Sequence, residues 1–155
     1  MSNHYKKDDT RELIAALNVF LADTAIVYYK THAFHWNVEG ENFYAIHLMF
    51  EKFYTKLWKS MDETAERIRS LGERVPTKYA DLLQNATIEE NETSPQIQAM
   101  ARILRDDYLA LSQKAYKVCA IAKTHGDLVT MDMMTKRSTF LEKAAWMLHS
   151  TLSGE

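Results

Sequence analysis

The sequence predicts an all-α fold. It is a bundle of four long helices with one long crossover between the second and third, and that crossover carries a short helix. Three observations carry this prediction. Only 4 Gly and 2 Pro occur in 155 residues, which leaves long stretches free of helix breakers. Apolar residues recur at spacings of three and four along four such stretches. The breaks joining the first helix to the second and the third to the fourth are short, so each pair must lie antiparallel, while the middle break is long.

Each element has its own signals. Residues 1–8 are expected to be a flexible tail, and 9–155 a single bundle domain. Asp9 is the expected cap of the first helix, with Glu12 three residues on as in a capping box. Leu13, Leu17, Phe20, Leu21, Thr24, Val27 and Tyr28 continue the pattern to about Asn37, and Gly40 ends it. The second helix should run from Asn42 to Leu71, with Gly72 as its stop. Residues 73–93 form the crossover; Pro76 lies within it, and Tyr79, Leu82 and Leu83 suggest the short helix. Ser94-Pro95 reads as a cap followed by a first-turn proline. The third helix should then reach Thr124 and stop at His125-Gly126. Asp127 or Thr130 caps the fourth, which runs to about Leu152.

Composition narrows the function classes. Hydrophobic content of 46% and charged content of 26% suit a soluble globular domain. A net charge of −2 does not indicate a strongly basic nucleic-acid binder. The sole cysteine, Cys119, excludes an intrachain disulfide and a cysteine-based zinc site, and suits a reducing cytoplasm. Met1 to Thr10 is polar, without the apolar segment of a signal peptide. No apolar run is expected to approach membrane-spanning length.

The chemistry concentrates in 32 residues. His35, His47, Glu51, Asp62 and Glu66 are all types that bind a hard or borderline metal such as iron. Taken singly, each histidine is more often a surface or satisfied core residue than a ligand, and each carboxylate reads as solvated helix face. Together they are costly to leave unpaired on aligned faces. His47 and Glu51 are four apart, as are Asp62 and Glu66, so each pair shares one helix face. Along one helix the two pairs stand roughly 22 Å apart, too far for a single ion, yet about 60° from perfect alignment. Two copies packed antiparallel across a twofold axis would bring the histidines of one chain to the carboxylates of the other. The Glu-x-x-His motif of an intrachain di-iron bundle is absent. Three residues before His4, His32, His35, His47, His125 and His149 stand Met1, Tyr29, His32, Tyr44, Ala122 and Trp146.

The run Thr31-His32-Ala33-Phe34-His35-Trp36-Asn37-Val38-Glu39-Gly40, then Phe43 and His47, then Asp62-Glu63-Thr64-Ala65-Glu66-Arg67-Ile68 with Leu71-Gly72, resembles the signature of the Dps proteins. These are the DNA-binding proteins from starved cells, the bacterial mini-ferritins. The resemblance fixes residue types over about 40 positions. It implies a ferritin-like four-helix bundle assembled as a hollow homododecamer. It also implies ferroxidase sites at twofold interfaces, where Fe(II) is oxidised by hydrogen peroxide in preference to dioxygen, and Fe(III) stored as mineral. His35 and His47 match the histidine ligands of one subunit, and Asp62 and Glu66 the carboxylates of its partner. Glu51 stands where the family usually places an aspartate. Trp36 matches a tryptophan near the site, and His32 reads as a neighbour of the ligands or an interface residue.

Asp127 and Asp132 resemble acidic residues lining the family's threefold pores, the iron-entry route; Asp127 is equally a natural helix cap. Leu48 and Lys52 stand where some relatives carry glutamates that nucleate mineral. In the tail, Lys6 and Lys7 are followed by Asp8-Asp9, a poor match for the lysine-rich tails of DNA-binding members, so DNA binding is expected to be weak. The competing readings are a nucleoid-compacting structural protein with an incidental metal site, which the tail disfavours, and an inert adhesin or immune-active shell, which the intact ligand positions disfavour.

Overall fold

The computed structural model describes residues 10–152. Its elements are α1 (Arg11–Asn37), α2 (Phe43–Ser70), α3 (Tyr79–Leu83), α4 (Ile97–Thr124) and α5 (Leu128–Leu152). No strand occurs among the described residues. α1 pairs with α2 and α4 with α5, as the short connections require, and α1 packs on α4 to join the halves. The crossover lays α3 against α1. The core forms where the three-and-four spacings converge. Phe20 from α1, Phe50 and Leu57 from α2, Leu104 and Tyr108 from α4, and Met134 and Leu148 from α5 are all at most 1% exposed.

The helix ends show which local signals held. α2 and α4 both end in a Schellman motif. Glu73 N–H donates to Ile68 and Gly72 N–H to Arg69; Asp127 N–H donates to Ala122 and Gly126 N–H to Lys123. Gly72 and Gly126 take the positive φ this requires, +99° and +67°. Two starts differ from the sequence expectation. Thr10 occupies the cap position of α1, and Asp9, like the expected tail, lies outside the described residues. α4 begins at Ile97 rather than at Ser94-Pro95. Gln96 is still extended at ψ 162°, so the proline precedes the helix instead of opening it.

α1 also corrects the expectation about apolar runs. Its length and its mean hydropathy of 1.4 over 18 residues would suffice to cross a membrane. The bundle supplies another reason for that composition. From Phe20 to Val27 every residue is buried, because α2, α4 and the crossover enclose this helix. The polar groups inside it are paired. The Asp23 carboxylate accepts from Thr87 N–H at 2.6 Å, Ile88 N–H at 2.8 Å and the Thr87 hydroxyl at 2.9 Å, and faces Lys114 at 3.2 Å. Seven residues on, Lys30 donates to Asp107 and to the Glu89 carbonyl, both at 2.7 Å. Burial pushes the Asp107 carboxyl up, against the pull of the Lys30 ammonium. α3 has no fully buried residue, and Val75, Leu82 and Ile88 of the crossover pack only partly buried on the core, so these polar contacts add the main tie of residues 87–89 to α1 and α4. Asp23→Ala should therefore raise amide exchange at Thr87 and Ile88 about tenfold or more, from bonds worth ~1.5 kcal/mol or above. Core amides of α4 should stay protected, which hydrogen-exchange mass spectrometry would check.

A second buried ion pair ties α2 to α5. Asp127, fully buried, accepts both hydrogen bonds from Arg67 Nη2, at 2.7 and 2.8 Å. It also caps α5, accepting from the Thr130 N–H and hydroxyl. Burial alone would push the Asp127 carboxyl up; the donors from Arg67 and Thr130 outweigh it and hold the group below the usual carboxylate range.

Candidate metal centre

The site begins at the α1–α2 hinge. Gly40 at φ +105° and Asn42 at φ +61° reverse the chain within five residues. The reversal sets the last turn of α1 against the second turn of α2. His35 and His47, 12 residues apart, then stack face to face with ring centroids 3.7 Å apart and planes 19° from parallel.

Their hydrogen bonds are reciprocal. His35 Nδ1 lies 2.8 Å from the His47 backbone oxygen, and His47 Nδ1 lies 2.8 Å from the His35 backbone oxygen. A carbonyl only accepts, so both Nδ1 atoms carry the proton. In the neutral rings this leaves each Nε2 with a free lone pair. The backbone of the hinge thus selects the tautomer a metal needs, a task carboxylates often perform elsewhere. Glu51, one turn beyond His47, adds an oxygen. One donor atom from each of His35, His47 and Glu51 lies within 4.8 Å of the others. Two imidazoles and a carboxylate suit a borderline divalent ion such as Fe(II).

Asp62 and Glu66 are not part of this cluster. Both are exposed on α2, four turns further along. The five candidate ligands therefore divide as their spacing requires, three together and two apart within one chain.

An aromatic wall backs the histidines. His32 stacks on Tyr54 at 3.8 Å and 14°, and on its other side meets Trp36 at 4.0 Å. Its Nδ1 pairs with the Tyr28 hydroxyl at 3.2 Å. Burial, then the charge of His35, lowers the His32 pKa. Trp36 itself is 57% exposed. Tyr54 also meets His35 edge-on at 5.1 Å, and Phe43 leans on His47 at 5.1 Å. Burial, then the nearby Glu51 carboxylate, raises the Tyr54 pKa. In the sequence Tyr28 reads only as part of the α1 pattern, and neither it nor Tyr54 is placed at the site. Their spacing carried the signal: Tyr54 is seven residues from His47, and Tyr28 seven from His35.

The remaining candidates are scattered. Asp127 has the capping role described above, with its carboxylate engaged by Arg67 and Thr130. Asp132 is exposed and pairs with Lys136 at 2.6 Å. Leu48 is half-buried and Lys52 exposed.

A four-helix bundle with one long crossover, bearing a His–His–carboxylate cluster at the turn between its first two helices, is ferritin-like, and residues 14–154 match the ferritin-like domain family. Within that class the chain is similar to DNA protection during starvation protein 2 of Bacillus anthracis, 32% identical over 143 residues, covering 92% of this chain and 98% of the relative. It is likewise 33% identical over 147 residues to DNA protection during starvation protein of Brevibacillus brevis, covering 94% and 99%. The crystal structure of the Dps protein from Vibrio cholerae O1, described as a member of a broad superfamily of ferritin-like diiron-carboxylate proteins, superposes with a TM-score of 0.90 at 31% identity, over 95% of this chain and 92% of that one. The chain belongs to the Dps family.

Proposed function

We propose that the protein is an iron-oxidising and iron-storing mini-ferritin. Fe(II) is the substrate, oxidised at sites shared between two subunits, and Fe(III) is the stored product within a hollow homododecamer. The observation that carries this reading is the tautomer-locked pair His35–His47 beside Glu51. Three donors on one chain, with Glu51 exposed, leave the ion open on one side. The exposed Asp62 and Glu66 lie on the same helix and cannot reach it from their own chain. A second copy across a twofold axis supplies them.

In this reading His35 and His47 bind through Nε2, and Glu51 adds a negative charge that favours the oxidised ion. The longer Glu51, in place of the usual aspartate, reaches further from its backbone toward the partner. Hydrogen peroxide is the preferred oxidant over dioxygen. Two Fe(II) each give one electron, and with two protons the peroxide becomes two waters, so no hydroxyl radical is released. Asp132 lines the entry pore, alongside the α5 start that Asp127 caps. With Leu48 and Lys52 on the inner face, mineral growth begins at other carboxylates.

DNA protection follows from removing both reagents that generate radicals. The relatives' name speaks of DNA protection. A net charge of −2 and a tail in which Lys6 and Lys7 are offset by Asp8 and Asp9 support a chemical mode over coating of the duplex. The cytoplasm is the compartment this activity serves.

Stopped-flow Fe(II) oxidation with peroxide and with air tests the proposal. The wild type should oxidise iron faster with peroxide. The double variant His35→Ala/His47→Ala should lose at least about a hundredfold in rate, since two of the three donors of one half-site are gone. Equal rates in both proteins would remove the site from the mechanism.

A further inference from the structure

The outer face of α2 carries a stripe whose spacing is a palindrome. His47, Glu51, Thr55, Trp58, Asp62 and Glu66 follow one another at intervals of 4, 4, 3, 4 and 4 residues. That progression keeps all six on one side of the helix; Trp58 is about 20° from His47 after three turns. Every member but the half-buried His47 is exposed. The ends of the stripe are the candidate ligands. An antiparallel second copy that sets residue 47 against 66 also sets 51 against 62. Both pairings share one centre, between Lys56 and Leu57. The same register sets 55 against 58.

We propose that Trp58 is the docking residue of the dimer that completes the metal sites, seated on Thr55 of a second copy of this chain, twice across the twofold axis. This rests on the shared-site reading above, which supplies the register. The two side chains fit the role. Trp58 is 59% exposed in the isolated chain, a large apolar surface at the midpoint between the two ligand pairs. The Thr55 hydroxyl is turned back onto its own helix, donating to the Glu51 carbonyl at 2.7 Å. Its methyl group is thereby left as the outward surface, an apolar seat for an indole ring. Leu57, at the geometric centre, is 1% exposed and serves its own core, so the contact near the axis falls to the flanking residues 55 and 58. Fixing these two contacts fixes the helix register, and a slip of one turn, about 5.4 Å, would carry the carboxylates past the histidines.

Cross-linking tests the contact, on a Cys119→Ser background. Thr55→Cys and Glu51→Cys are prepared separately and treated with a short bismaleimide. Thr55→Cys should give covalent dimer at several times the yield of Glu51→Cys, because this register sets position 55 about 4.5 Å along the axis from its own copy and position 51 about 16.5 Å from its own. Trp58→Glu should keep its helical circular dichroism, lose the dodecamer in sedimentation to smaller species without the twofold contact, and lose fast iron oxidation at least about tenfold; Trp58→Phe should retain both assembly and oxidation. If His47→Ala and Asp62→Ala complement one another while Thr55→Cys does not cross-link, or Trp58→Glu still forms the dodecamer, the docking role is overturned and the shared site stands. If complementation also fails, the shared site is what has failed.

Discussion

Mixing His47→Ala chains with Asp62→Ala chains should restore roughly a quarter of the metal sites. Each variant alone should be slow, since every site in its homodimer lacks either a histidine or a carboxylate. In a mixed dimer one site receives both broken halves. The other receives the intact His35, His47 and Glu51 of one chain and the intact Asp62 and Glu66 of its partner. Random association at equal ratio makes about half of the dimers mixed, and half of their sites are then wild-type. Fast peroxide-dependent Fe(II) oxidation should return after co-refolding to about that fraction. An intrachain site predicts no return, because every chain carries a lesion. Mass spectrometry confirming mixed assemblies without recovered activity would therefore end the shared-site reading.

The second large effect is on stability. Asp127→Ala removes the cap of α5 and leaves the Arg67 guanidinium, whose side chain is 13% exposed, without its carboxylate and with only the Thr130 and Ser70 hydroxyls as partners. Breaking a buried pair by deleting one partner costs about 3–5 kcal/mol, and a lost cap about 1 kcal/mol more. For a chain of this size each kcal/mol is worth about 2–4 °C, so Tm should fall by about 10 °C or more in calorimetry. The same carboxyl has a folded pKa held below its unfolded value. Its contribution is thus present above about pH 4 and lost as pH falls through the folded pKa. The wild type should lose stability in that acid window more steeply than Asp127→Asn. Parallel melting curves for the two proteins from pH 5 to pH 2 would contradict this account. Iron oxidation at neutral pH by the folded Asp127→Asn protein should be near wild type, which separates the structural role from the metal site.

Much of this was legible in the chain itself. Hydrophobic spacing and the near absence of Gly and Pro determined four helices, their antiparallel pairing and the long crossover, because a period of 3.6 dictates which residues share a face. The same arithmetic separated His47 and Glu51 from Asp62 and Glu66, since distance along a helix is set by residue count alone. Gly72 and Gly126 announced their stops because few residues tolerate positive φ. Other features depend on which helix faces which, and sequence period says nothing of that. The partners of Asp23 and Lys30, which are Thr87, Glu89 and Asp107, come from the crossover and α4, and the spacing along α1 does not reveal them. Asp127 stood equally for a cap or a pore until Arg67, 60 residues earlier, closed on it. Tyr54 became part of the site only when the hinge folded α1 onto α2. Above all, the proton positions of His35 and His47 were decided by tertiary structure. Each ring reads the other's backbone carbonyl, and those carbonyls come within 2.8 Å only after Gly40 and Asn42 have turned the chain. Periodicity places a side chain on its own helix; only packing brings it the partner from another element that sets its chemistry.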